Sequence, residues 1–319
     1  TKESVNLGKV VFPMGQISVE ETQYHHWGKC IKISNGTIEL IATVEVGPRI
    51  IRLGVIDGPN EFREDLAPEA DTPIDPEFTV FGEEGNWHIR GGHRLWVAPE
   101  VMPRTYYPDN KPVAYEKLPN GVRLTPPVQH WTHMQQEMEV TMEEDGTVTV
   151  VHRVTNRSPW PIECAPWAVS AMEVGGLEAV PQSKKEAGLL PNRSIVLWTY
   201  SDMADSRVKW GTDYIILRPN AKADHAFKVG VHNEYGYAAY FNHGNLFIKE
   251  YSPVEDETYP DEGCSYETYT DSMVCEMETL APLKVLEAGA TAEHTERWRL
   301  IPNVPEPESP EELKKTLSQ

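Results

Sequence analysis

Two separated stretches of this 319-residue chain concentrate side chains able to do acid–base or anion chemistry. The first is Arg90-Gly91-Gly92-His93-Arg94-Leu95-Trp96. The second is Cys275-Glu276-Met277-Glu278-Thr279-Leu280, followed by Pro282, Gly289 and His294. In the first, a glycine pair that would let the backbone approach a ligand closely is flanked by two guanidiniums and an imidazole. In the second, the carboxylate of Glu278 stands among apolar neighbours near the end of a strand. Arg49, Arg90 and Arg94 are suited to bidentate binding of a carboxylate, sulfate or phosphate; the competing reading is an ion pair to Glu267 or Glu278. Arg90 and Arg94, four apart around the glycines, are expected to converge. Glu267 and Tyr269 share one face of an approach to the Glu278 strand. Trp96 and Trp167 are the two of nine tryptophans expected to offer a stacking surface.

Other constellations carry less. His130 and His133 are three apart, which on a strand points them to opposite faces, so no metal site is expected. The chain has no phosphate-binding glycine loop, dinucleotide fingerprint or Gly-x-Ser-x-Gly elbow. No cofactor is expected.

The elements that must position these residues read as strands. Residues 37–46 and 146–154 are rich in β-branched residues with partial period-two alternation. Similar runs occupy 194–199, 214–217, 236–241, 246–251, 273–279 and 295–301. Asn35-Gly36, Asp57-Gly58-Pro59, Asn120-Gly121, Asp145-Gly146 and His243-Gly244 supply the positive-φ residues that tight turns require. The expectation is an all-β protein of large antiparallel sheets, with helix below about a fifth. The clearest helical signal is at the end, where Ser309-Pro310-Glu311-Glu312 reads as an N-cap, a proline at the first helical position and a capping-box glutamate. We divide the chain into one β domain over 1–302, and a proline-rich linker with a short helix over 303–319. Residues 57–85 form the longest stretch without a persistent pattern, a functional or mobile loop leading into Arg90.

Net charge is −20, from 49 acidic and 29 basic residues spread along the chain. Such a surface repels nucleic-acid phosphates and anionic lipid heads, so neither nucleic acid nor membrane is an expected partner. No run of about 18 apolar residues exists to span a bilayer. The four cysteines, Cys30, Cys164, Cys264 and Cys275, show no metal spacing. They fit a reducing compartment, hence a cytoplasmic location; a Cys264–Cys275 disulfide is the alternative. Thr1-Lys2-Glu3-Ser4 lacks the charged and apolar regions of a signal peptide.

In the order and spacing of its motifs the chain resembles the galactose mutarotase superfamily. Ile89-Arg90-Gly91-Gly92 is similar to the Arg-Gly-Gly of hexose-phosphate mutarotases. Met277-Glu278-Thr279-Leu280, Pro282, Glu287-Ala288-Gly289 and His294-Thr295 resemble the C-terminal signature of the galactose enzymes. Gly91-Gly92-His93-Arg94-Leu95-Trp96 and Ala165-Pro166-Trp167 are similar to those of an uncharacterised mutarotase-like family. The resemblance runs from Cys30, through Gly47-Pro48-Arg49, to Leu300. It implies a β supersandwich and a carbohydrate ligand, a mono- or oligosaccharide. It also implies aldose 1-epimerase as the nearest reaction, with Glu278 as the base that removes the anomeric hydroxyl proton. The family's acidic histidine has no counterpart, because Trp167 stands in its place and an indole does not exchange its proton near neutrality. His93 is the candidate substitute acid, with a hydrogen-bonded core histidine as its alternative. Arg49, Arg90, Arg94, Trp96, Trp167 and Glu267 are the expected substrate contacts. Arg90 would favour an anionic sugar. A glycan-binding protein without catalysis, and a lyase or hydrolase on an acidic polysaccharide, are the competing functions.

Overall fold

The computed structural model describes residues 14–70 and 72–317, so the N-terminal tetrapeptide read for targeting lies outside the described residues. Strands account for 43% of the chain and helix for 9%, within the expected ceiling for helix. Two large antiparallel sheets pack face to face. In the first, neighbouring strands run Ser18–Gln23, Lys29–Ser34, Ile38–Thr43, Ile50–Val55, Gly92–Ala98, Ile162–Met172, Cys275–Leu280, Tyr266–Thr270, Phe227–Val231 and Val196–Leu197, with Lys284–Leu286 paired to Ile162–Met172 off this path. The second runs Val208–Trp210, Tyr214–Leu217, Leu177–Pro181, Tyr237–Asn242, Asn245–Tyr251, Thr291–Ile301, Val148–Asn156, Met134–Met142, Gly121–Thr125 and Ala114–Leu118.

The core lies between the sheets, where Leu40, Leu95, Val97 and Met172 of the first meet Met138, Val150, Phe247 and Trp298 of the second. Val148–Asn156 alternates buried and half-buried residues along its length, as a strand with one covered face should. Gly92–Ala98 is buried at every position, which requires cover on both faces. The outer cover is the chain between Val55 and Ala114. That segment is less irregular than its sequence suggests: Phe62 bridges Met172, Glu64 bridges Gly91, and Pro76–Glu84 forms 3₁₀ turns kinked at Gly82.

Turn chemistry follows the residues. Asn35 Oδ1 accepts the backbone N–H groups of Thr37 and Ile38 (3.0 and 2.9 Å), closing the hairpin before Ile38–Thr43. The C-terminal helix spans Pro310–Leu317, and Ser309 Oγ accepts the Glu312 N–H at 3.1 Å, as an N-cap does. Leu313 and Leu317 of this helix pack with Leu177, Phe241 and Ile301 on the second sheet. All four cysteines are buried free thiols, so the alternative Cys264–Cys275 disulfide is not formed. Among the described residues no helix is long and apolar enough to cross a membrane.

Candidate functional site

Cross-strand register decides which side chains meet. Arg94 stands opposite Val169, Val169 opposite Glu278, and Glu278 opposite Glu267. Side chains alternate along a strand, so the flanking rows on this same face are Trp96 beside Trp167, and Glu276 beside Tyr269 and Lys228. This face is the outer one. It floors a cleft of about 380 Å³, within the range of small-molecule sites, walled by Trp87, Tyr106, Trp198 and Tyr200.

The floor is a set of paired charges, two cations and three carboxylates, under aromatic rings. Arg94 Nη1 pairs with Glu276 Oε1 at 2.9 Å, and its guanidinium lies 4.0 Å from the centre of the Trp96 ring. Lys228 Nζ sits between Glu267 Oε2 (2.7 Å) and Glu278 Oε2 (3.0 Å), and between the rings of Trp167 (4.8 Å) and Trp198 (4.6 Å). Trp167 Nε1–H donates to Glu278 Oε2 at 2.8 Å. Burial raises the affinity of Glu267 and Glu278 for a proton; the Lys228 ammonium opposes this for both, while each is raised further by a neighbouring carboxylate. Burial also works against the Lys228 ammonium, but Glu278 and Glu267 outweigh it and hold its pKa well above the ordinary value. Oε1 of Glu267, Oε1 of Glu278 and Nε of Arg94 have no hydrogen-bond partner.

Several expected site residues stand elsewhere. Glu278, the expected base, does not line the cleft. Its strand is regular, so Glu276 and Glu278 share the outer face, and Glu276 lines the cleft while Glu278, 1% exposed, lies beneath Lys228 and Trp167. His93 faces the opposite way from Arg94 and is fully buried between the sheets, so it does not stand across the cleft from Glu278. Arg90 and Arg94 do not converge. Arg90 (φ 54°), Gly91 (φ 89°) and Gly92 (φ 69°) turn the chain sharply, and Arg90 pairs with Glu69 and Asp109. Arg49 pairs with the same Asp109, away from the cleft lining, and burial lowers its pKa to about 10. The glycine pair serves the fold. A Cβ on Gly91 would lie 2.1 Å from the Arg63 carbonyl oxygen and one on Gly92 2.5 Å from that of Ile50.

His93 joins an interior network whose proton positions follow from its partners. His152 Nδ1 faces the His294 carbonyl at 2.9 Å and must donate, so its Nε2 accepts from His93 Nε2–H at 2.7 Å. His93 Nδ1 then accepts from Ser170 Oγ at 2.8 Å. Glu296 accepts from Lys249 (3.0 Å), Trp298 Nε1 (2.8 Å) and Thr279 Oγ1, and His294 Nε2–H donates to Thr279 at 2.7 Å. His93, His152 and Glu296 group like metal ligands. The two imidazole nitrogens, however, are at hydrogen-bond distance, too close for an ion bonded to each at about 2.0–2.1 Å in tetrahedral geometry. His130 and His133 do not meet; His130 Nδ1 lies 2.8 Å from Tyr107 Oη.

Sequence reasoning missed Lys228, Glu276, Trp87, Tyr106, Trp198 and Tyr200. Lys228 carried a signal: in Phe227-Lys228-Val229-Gly230-Val231 it alternates with apolar residues, the pattern of a strand whose lysine faces away from the core. Trp87, Trp198 and Tyr200 lie outside regular elements and Tyr106 in a single 3₁₀ turn, where no period marks them.

No protein-family model matches the sequence, and comparison with curated proteins found no match. Comparison with solved structures did. A putative aldose 1-epimerase from Escherichia coli superposes with a TM-score of 0.51 at 13% identity, covering 89% of this chain and 99% of that one. A putative mutarotase from Salmonella typhimurium gives 0.53 at 10% identity, with 91% and 97% covered. A TPR-domain containing protein from Parabacteroides distasonis gives 0.56 at 11% identity; the match covers 90% of this chain and 54% of that one. The chain has the galactose mutarotase-like fold.

Proposed function

We propose that this mutarotase-like protein binds an uncharged saccharide in the outer cleft. The carrying observation is the combination of half-buried to exposed aromatic walls with a polar floor whose cations each already have a carboxylate partner. Aromatic rings take the C–H faces of a sugar, and Glu276, Arg94 and Lys228 offer acceptors and donors to its hydroxyls. Trp96 and Trp167 are floor rather than platform, being 8% and 2% exposed; Trp87, Trp198 and Tyr200 are better placed to stack. Glu278 and Glu267 act through Lys228, which they hold charged and in place. Arg90 and Arg49 have carboxylate partners of their own, which favours a neutral sugar over an anionic one.

A second reading, 1-epimerisation, is favoured by one observation, the Glu276 carboxylate in the cleft. It could take the anomeric proton while an acid protonates the ring oxygen. Of the two cations of the cleft, Arg94 keeps its proton at any relevant pH and Lys228 is held by two carboxylates and releases its proton reluctantly, so binding is the stronger reading.

Calorimetry with neutral sugars and their uronates, alongside anomer exchange followed by nuclear magnetic resonance, separates these readings. Binding of the neutral sugar, without exchange above the buffer rate, is the expected result. Exchange that falls by roughly 100-fold in Glu276→Gln would establish the epimerase reading instead. Tighter binding of the uronate would restore the anionic ligand.

A further inference from the structure

Building on the proposed saccharide binding, we infer that the cleft takes a chain of neutral sugars lying across the strands rather than a single ring. Its floor is contributed by five neighbouring strands, through Arg94 and Trp96, Trp167, Glu276, Tyr269 and Lys228. Four interstrand spacings of about 4.8 Å make that span about 19 Å, several times the width of a pyranose ring.

The aromatic walls are divided along this span. At one end Trp87 and Tyr106 meet edge to face with ring centres 5.2 Å apart, and both contact Trp96. At the other, Trp198 lies over Lys228, and Tyr200, 45% exposed, meets the Tyr269 ring at 6.4 Å. Between them lie the polar groups Arg94, Glu276 and Lys228. Two stacking platforms separated by hydrogen-bonding groups suit a chain that presents a C–H face at each end and hydroxyls in the middle.

Both platforms are fixed before any ligand arrives, which lowers the ordering cost of binding. The segment carrying Trp198 and Tyr200 is tied to the floor by Ser201, whose Oγ donates to the Lys228 carbonyl (2.7 Å) and accepts the Lys228 N–H (2.8 Å). At the other end, Tyr106 Oη donates to Glu100, and Thr105 Oγ1 accepts the Val101 N–H at 2.9 Å.

The test is calorimetric titration of the full chain with homologous neutral gluco-, galacto- and manno-oligosaccharides of one to four units. In at least one series affinity should climb at least about 10-fold from monomer to tetramer. Trp87→Ala and Trp198→Ala should each lower the tetramer-to-monomer affinity ratio, by roughly threefold to tenfold for a lost stacking contact, with thermal melting used to confirm folding. Equal affinity for monomer and tetramer would overturn the chain inference and leave saccharide binding standing. A climb with length that neither variant reduces would also overturn it, since the platforms would not be its source. Failure of every series to bind would overturn both.

Discussion

The strand Gly92–Ala98 separates two polar clusters that share a plan and differ in completion. Each is built on a buried lysine paired with glutamate, one on the inner face and two on the outer. On the inner face Lys249 holds Glu296, and the imidazoles of His93, His152 and His294 continue the network. On the outer face Lys228 holds Glu267 and Glu278. None of the fully buried side-chain N and O atoms of the five inner residues lacks a partner, whereas Glu267, Glu278 and Arg94 each leave a buried atom unpaired beside the cleft. A completed network specifies a fold; an incomplete one next to open space has capacity left for something that binds.

The difference should show most in the lysines. Lys249→Met strands Glu296 in the dry interior, and breaking such a pair costs about 3–5 kcal/mol. Lys228→Met should cost less, about 1–3 kcal/mol, because its carboxylates already favour protonation. The remaining loss should grow with pH. Carboxylates with raised folded pKa contribute their stability fully below the unfolded value near 4.5 and lose it as pH rises through the folded one. Denaturant unfolding of both variants at pH 5 and pH 8 measures this, and equal, pH-independent losses would break the comparison.

Acid should act first on the inner cluster. Burial depresses His152 and His294 to about 3 and His93 well below its ordinary value. Their neutral forms are therefore part of the fold. Stability from this source is complete above the unfolded pKa near 6.5 and is lost as pH falls from there toward 3, because the unfolded chain binds the extra protons. The wild-type melting temperature should drop by at least about 5 °C between pH 7 and pH 4, and a histidine-to-phenylalanine change at His152 should flatten that slope even though it lowers the starting value. An unchanged slope would show that the histidines do not set it.

The smallest expected effect on saccharide affinity belongs to the floor of the cleft. Trp167→Phe keeps an aromatic ring, though a smaller one, and removes the N–H given to Glu278, at a cost of about 1–3 kcal/mol in stability. Tryptophan fluorescence and calorimetry on this variant would sharpen the comparison: saccharide affinity should fall less than in Trp198→Ala, since Trp167 lies beneath the cleft rather than at its wall.

Strands, hairpin turns and the terminal helix were legible because they rest on local rules, such as Asn35 capping its own turn and Ser309 capping its own helix. The site was legible only as a neighbourhood. Arg94, Trp96, Trp167, Glu267 and Glu278 do share one face, yet alternation alone could not say whether His93 or Arg94 faced out, because Gly92–Ala98 is buried on both sides. Nor could spacing reveal that Arg90 would be claimed by Glu69 and Asp109, which come from segments with no pattern of their own. Lys228 was overlooked because an isolated lysine in a strand ordinarily marks solvent.

Lys249 reaches from the second sheet to the first, where its ammonium donates to the backbone carbonyls of Met277 (2.8 Å) and Ala168 (3.3 Å). Those carbonyls belong to the two strands that carry Glu276, Glu278 and Trp167. One side chain thus rivets both halves of the cleft floor to the far layer, and the two strands cannot slide past each other without tearing it out. For anyone redirecting this protein to another ligand, the floor is a poor place to begin. The walls, at Trp87, Trp198 and Tyr200, can be recut without disturbing the rivet.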